Sequence, residues 1–388
     1  MKRVKGAIPT IEDDLSKLPN HYDHVAERHE FLFKMPVWMT NKVAPYLEDQ
    51  RDIPMLHFMF NILVTTVPMA LLIFFGPPIV SNWMVGIVYM VTNYVLYLGR
   101  YLLTLHYSQH LRLFSLKKAG WWPGTLANLI LPYFVSPLFG VPSGMYYMHH
   151  VVMHHAENNV FPWDVSSTMP YQRNYFPHFL LYWIRYFAAI WVQLPYYAFK
   201  RHRYDLFARC VINMALFWVI LTSAYKYNPV GALFTLILPF CFSSFLMMFG
   251  NFSQHIFVDP KEPNNSYRSA YITMNNFGNQ VSYNDGYHIL HHLNSRTHWS
   301  DFPSRFNKDY EKFYTNKSIV FEGIDVMYVG FHVFTGQLEK LAKSIHHFEG
   351  KPKMTTEEII ALFKERFEAV DCNTLTKNQL EAHADQED

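Results

Sequence analysis

Cysteine is nearly absent from the 388-residue chain, which has only Cys210, Cys241 and Cys372, far apart and odd in number. That excludes a disulfide framework and any metal site built on thiolates. Charge is scarce as well. Asp, Glu, Lys and Arg make up 16% of the residues, against about 25% in an average soluble protein. A formal net charge of +2 excludes a dominant basic surface, so no nucleic-acid partner is expected. The N-terminus starts basic but has no apolar run behind it, and Glu12, Asp13 and Asp14 argue against a transit peptide. Membrane insertion is therefore expected from internal segments. Apolar side chains, at 50% of the sequence, and histidine, at 21 residues, are plentiful. A mean hydropathy of -0.04 suits a few membrane spans joined to a substantial water-exposed part.

Four segments have the ~20-residue apolar length that a ~30 Å hydrocarbon core requires: Leu56–Phe75, Trp83–Leu105, Arg209–Ala224 and Pro229–Gly250. Short connections, GPPIVSN and KYN, pair them into two hairpins. Apart from Lys226 these connections lack basic residues, whereas Arg112, Lys117, Lys118, Lys200, Arg201 and Arg203 flank the opposite ends. The positive-inside rule then places both termini and the middle segment in the cytosol. Thr125–Met148 is uncharged but interrupted by Pro132, Pro137 and Pro142; His178–Phe199 carries Arg185 and Pro195. Both read as interfacial or protein-covered segments. The expected fold is thus an all-α integral membrane protein, four transmembrane helices in two hairpins, with a cytosolic helical cap. Its expected divisions are an N-terminal segment (1–50), a membrane domain (51–305) and a C-terminal helical region (306–388). From Met354 that last region reads as a helix capped at Thr355/Thr356.

Eleven histidines fall into four short clusters. HYSQH holds His106 and His110 where the second span ends. HHVVMHH holds His149, His150, His154 and His155. NFSQH sets Asn251 and His255 four apart after the fourth span, and HILHHLNSRTH holds His288, His291, His292 and His298. Residues three or four apart share a helix face, so each cluster can aim two or three imidazoles one way. Imidazole is the commonest biological metal ligand. With four spans, all the clusters emerge on the cytosolic side and can share one site. Nine histidines exceed what one zinc takes and suit two metals. Imidazole alone does not choose among Zn, Cu, Fe and Ni. A nitrogen-rich iron pair fed by an apolar groove could direct O2 against an unactivated C–H bond, which offers no handle to acid–base chemistry.

The ordered set HYSQH, HHVVMHH and HILHH resembles the three histidine boxes (HxxxH, HxxxHH, HxxHH) of the membrane fatty acid desaturase superfamily, and NFSQH resembles the extra Asn–His element of acyl-CoA desaturases. The resemblance implies a di-iron centre with two Fe, O2 as co-substrate and a lipid or acyl-CoA substrate. It also implies electrons from an external donor, cytochrome b5 or a ferredoxin. Carried over position by position, the metal ligands are His106, His110, His150, His154, His155, His255, His288, His291 and His292, with Asn251 acting through a water. Tyr107 stands where many relatives have Asp or Glu, and box two opens with a doubled His149–His150. No HPGG haem motif occurs, so a separate reductant is implied. Candidate second-layer groups are His149, Glu157, Asp259, Asp285 and His298; Arg296 and His298 are also candidates for pairing with a lipid headgroup or phosphate. The function expected is acyl-chain desaturation, with hydroxylation or ketone formation by the same ligands as the alternative, and membrane metal binding or transport as a second. The endoplasmic reticulum is the expected membrane, with the site facing the cytosol.

Overall fold

The structure is a computed structural model and describes residues 20–24 and 32–373. The first 19 positions of the expected N-terminal segment, and the tail from 374, lie outside the described residues.

Helix α1 covers Gln50–Phe75. Asp49 caps it by accepting the Arg51 N–H, and Pro54 sits in a first turn where no amide donor is needed. Helix α2 runs continuously through Trp83–Asn93, a π-helical stretch Tyr94–Leu98, and Gly99–His110. Its cap is Asn82, which accepts the Val85 N–H. Thr66 on α1 donates to the buried Asn93 side chain on α2 at 2.6 Å, tying the two together. After a broken stretch comes the π-helical α3, Tyr147–His154, then α4, Phe176–Lys200, and α5, Tyr204–Tyr227. Helix α6, Pro229–Gln254, starts at Asn228. That side chain accepts the Gly231 N–H and donates to Phe74 O (2.8 Å) and Ser81 Oγ (2.9 Å), tying the start of α6 to the end of α1 and the α1–α2 loop.

Among the described residues three helices are long and apolar enough to cross a membrane: α1, α5 and α6. Three of the four expected spans are thus among them; the segment within α2 is not. The segment Trp83–Leu105 is helical throughout, but its tyrosines, Asn93 and Arg100 dilute its apolar character. Thr125–Met148 is not one straight helix. It passes from α-helix to π-helix (Ile130–Val135) to a 3-10 turn (Ser136–Phe139) and reverses at Gly140. His178–Phe199 lies within α4 and is not among the three.

The cap holds α7 (His288–Leu293), α8 (Val326–Phe334) and α9 (Thr356–Arg366). It is not wholly helical, which is a correction. β1 (Ile272–Met274) and β2 (Val320–Glu322) form a short parallel pair, Ile272 opposite Val320, across the division expected at 305. Helix α9 begins as expected at Thr355, with a complete capping box to Glu358. Arg173, fully buried, donates to the carbonyls of Ile256, Val258, Arg366 and Glu368, so one guanidinium sews the loop after α6 to the end of α9. One apolar cluster packs around α1, α2 and α7, and another around α4, α6, α8 and α9. The histidines lie between them.

Candidate metal centre

The end of α2 supplies His106 and His110, α3 supplies His150 and His154, and His155 follows it directly. His255 follows α6, and α7 supplies His288, His291 and His292. The fold brings all nine together. His106, His110, His150 and His291 form one tetrad and His154, His255, His288 and His292 another; within each, one ligand-capable atom per residue lies within 4.8 Å of all the others. His155 sits between them. Its Nε2 is 3.1 Å from Nε2 of His150, and its ring centre is 4.4 Å from that of His291 and 4.7 Å from that of His292.

The winding of α3 explains how His155 comes to lie beside His150. In an α-helix, His155 would stand about 140° round from His150. Here the His155 N–H bonds the His150 carbonyl, an i to i+5 step, which stacks the later residue nearly over the earlier one.

Closest approaches are between ring nitrogens: His106 Nε2 to His291 Nε2 at 2.8 Å, His288 Nε2 to His292 Nε2 at 3.1 Å and to His255 Nε2 at 3.2 Å. Two nitrogens bound at right angles to one metal at about 2.1 Å lie about 3.0 Å apart, so these separations fit edges of a coordination polyhedron. Nε2 of His110 and His154, and Nδ1 of His288, His291 and His292, are buried without a hydrogen-bond partner among the described residues. Buried polar atoms left in that state are rare, and a metal would satisfy those that face it. Burial, then the repulsion between neighbouring rings, holds His106, His150, His155, His288, His291 and His292 well below the usual imidazole range and His110 to about 3. Neutral rings are the form that binds metal.

Outer partners fix several rings. Asp164 Oδ2 lies 2.6 Å from His154 Nδ1, and Ser269 O is 2.8 Å from His255 Nδ1, which leaves Nε2 of each to face its tetrad. Ser166 Oγ bonds Asp164 Oδ1 (2.7 Å) and His149 Nε2 (2.9 Å). His149 is thus outside both tetrads but joined to His154 through Ser166 and Asp164. Tyr146 Oη is 3.3 Å from His106 Nδ1. Asp285 is 4.0 Å from His106 Nε2 and accepts from Gln254 at 2.6 Å. Burial raises its carboxyl to about 7, against the Gln254 hydrogen bond.

The other candidates are engaged elsewhere. Glu157 accepts from Tyr197 and Arg201 (2.5 and 2.6 Å), and Asp259 pairs with Arg268 and Arg366. His298 contacts Asp52 and Ser300, and Asn251 donates to Tyr182 Oη (2.8 Å) and Ser166 O (3.2 Å). Sequence reasoning missed Asp164, Ser166 and Tyr146. For Asp164 a signal existed: between Asp52 and Asp205 the chain holds two acids only, Glu157 and Asp164.

Beneath the first tetrad lies a cavity of about 390 Å³. His106, His150 and Asn251 stand on its wall. Leu98 and Leu103 of α2 and Met247 of α6 make its apolar part, and cap residues Asn279, Ser282 and Asp325 make a polar end.

No curated protein matched the chain, and no solved structure did. The sequence profile of the fatty acid desaturase family, however, matches residues 81–322, a stretch containing all nine converging histidines and more than half of the chain. The two buried tetrads and this match agree: the chain belongs to the fatty acid desaturase family.

Proposed function

We propose that the protein is an O2-dependent desaturase of lipid acyl chains. The observation that carries this reading is the pair of buried imidazole tetrads beside an apolar cavity, in a chain whose family implies a lipid acyl substrate. His106, His110, His150 and His291 would hold one iron and His154, His255, His288 and His292 the other, with His155 serving either and Asn251 acting through water. Iron held there supplies the redox chemistry that an unactivated C–H bond demands. The balanced reaction converts –CH2–CH2– with O2, two electrons and two protons into –CH=CH– and two waters, the electrons arriving from cytochrome b5 or a ferredoxin.

The chain's own residues do the rest. Leu98, Leu103 and Met247 bind the acyl carbons and keep water from them. Asp164, with Ser166, keeps the Nδ1 proton of His154 in place and Nε2 free. Asp285, 4.0 Å from His106, is the nearest carboxyl to the first tetrad wall. In the same reading α2 is the fourth span, α1/α2 and α5/α6 are the hairpins, and the site faces the cytosol from the endoplasmic reticulum membrane.

The test is elemental mass spectrometry of detergent-purified protein beside a His154→Ala/His291→Ala control, then lipid analysis of cells expressing each. About two irons per chain, lost in the control, with products two hydrogens lighter, is the expected result. Products one oxygen heavier would make it a hydroxylase. Zinc, or no metal in folded protein, would sink the oxygen chemistry.

A further inference from the structure

A second apolar space, about 810 Å³, opens on the outer side of the helix pair α2/α6. Ile87, Met90 and Val91 of α2 form one bank, Cys241, Phe242 and Phe245 of α6 the other. Val91 and Phe242 are each more than half exposed, and Cys241 is exposed too. The groove lies on α6, one of the helices apolar enough to cross a membrane. Tyr94 and Leu246 line both this groove and the cavity beside the histidines. They form the partition between the two. Tyr94 sits at the start of the π-helical stretch of α2 and is held across the helix pair by its hydroxyl, 2.7 Å from Ser243 Oγ and 3.1 Å from Pro239 O.

We propose that the acyl chain of a membrane lipid enters sideways, from the bilayer through this groove, and that Tyr94 is the latch that must swing aside to admit it into the cavity. This rests on the acyl-chain reading above and adds the source of the chain. A substrate arriving from water would have no use for an apolar, lipid-facing groove that shares two wall residues with the reaction cavity. For a chain already dissolved in hydrocarbon, the transfer from groove to cavity exposes no methylene to water, so the hydrophobic effect does not oppose it. The two hydrogen bonds of the Tyr94 hydroxyl, to Ser243 and Pro239, are then the barrier to be broken.

The native Cys241 gives direct access to the route. The full-length, iron-loaded protein is placed in phospholipid nanodiscs with one of two probes: a phosphatidylcholine bearing a mid-chain diazirine, or an acyl-CoA bearing the same chain added from water. After irradiation, labelled peptides are mapped by mass spectrometry. The lipid probe is expected to label the cavity at Met247 or Met248. Alkylating Cys241 with a long-chain maleimide, which fills the groove, should cut that labelling about tenfold while iron content stays the same. Cys241→Ala protein, still carrying Cys210 and Cys372, should be unaffected by the reagent. Tyr94→Phe, which loses the latch bonds, should label about two- to tenfold faster. Cavity labelling by the lipid that survives alkylation, or labelling by acyl-CoA alone, overturns the lateral route and leaves the acyl-chain reading standing. No cavity labelling by either probe overturns both.

Discussion

His154 and Asp164 share a hydrogen bond of 2.6 Å between Nδ1 and Oδ2, and neither side chain has any surface exposed. A carboxylate behind a ligating imidazole fixes its tautomer and strengthens it as a donor to metal. Asp164→Asn keeps the shape and loses the charge. Metal affinity at the second tetrad, or activity, should fall about 10- to 100-fold, read by competition with a chelator and by iron content. Unchanged affinity would show that Asp164 only fills space.

His291 touches His106, His110 and His155. His291→Ala should abolish turnover and remove about one of two irons while the protein still inserts, as shown by size-exclusion profile and circular dichroism. Turnover near that of the unaltered protein would refute the assignment of His291.

Asp259 is buried between Arg268 and Arg366, with both guanidinium nitrogens at 3.1 Å. Burial alone would raise its carboxyl. The Lys261 backbone N–H and the two arginines outweigh burial and hold the carboxyl below its usual value. A depressed folded-state value means stability that is complete above the unfolded value, about 3.9, and is lost as pH falls through the lower folded one. Thermal melts should therefore show the cap weakening below about pH 4. Asp259→Ala, which takes this partner from the buried Arg366 while the half-buried Arg268 keeps Glu262, should cost up to about 3 kcal/mol and remove the acid-dependent part of the loss.

Gly140 ends the 3-10 turn of the broken segment at φ +76, and a Cβ there would lie 2.0 Å from the carbonyl oxygen of Pro239 on α6. Both the left-handed backbone and the backbone neighbour resist a side chain. Gly140→Ala should destabilise the protein by about 1–3 kcal/mol, visible as a lower midpoint of detergent thermal unfolding.

Glu157 bonds Tyr197 and Arg201. Glu157→Gln should lower stability modestly and leave iron content intact. Loss of iron would mean that the contact reaches the tetrads after all.

Most of the candidate centre was legible because its signal is local. HxxxH and HxxHH spacings put rings on one helix face whatever the rest of the chain does. What the spacing hid was the π-helical winding of α3, since backbone hydrogen bonds one residue longer leave no trace in composition. Asp164 was hidden for another reason. It reaches His154 through a loop that doubles back, and no periodicity describes a loop. Of the two acids in that long stretch, sequence proximity favoured Glu157, and tertiary structure chose Asp164. Hydropathy located α1, α5 and α6; α2 is less apolar, and its buried Asn93 accepts a hydrogen bond from Thr66 across the helix pair. The short β1–β2 pair escaped notice because three residues per strand are too few to show alternation.

The distance along the chain between facing histidines governs how the protein comes into being. His106 and His291 are 185 positions apart yet meet at 2.8 Å, and neither tetrad can be completed before α7 has been made and docked. During synthesis the early histidines emerge without the α7 partners that complete either tetrad. Metal capture is therefore a late event that registers completed assembly, and a metal that binds only the finished fold adds its binding energy to that fold alone. Under the proposed function, metal supply would then set not only how many molecules are active but how many survive unfolding and degradation.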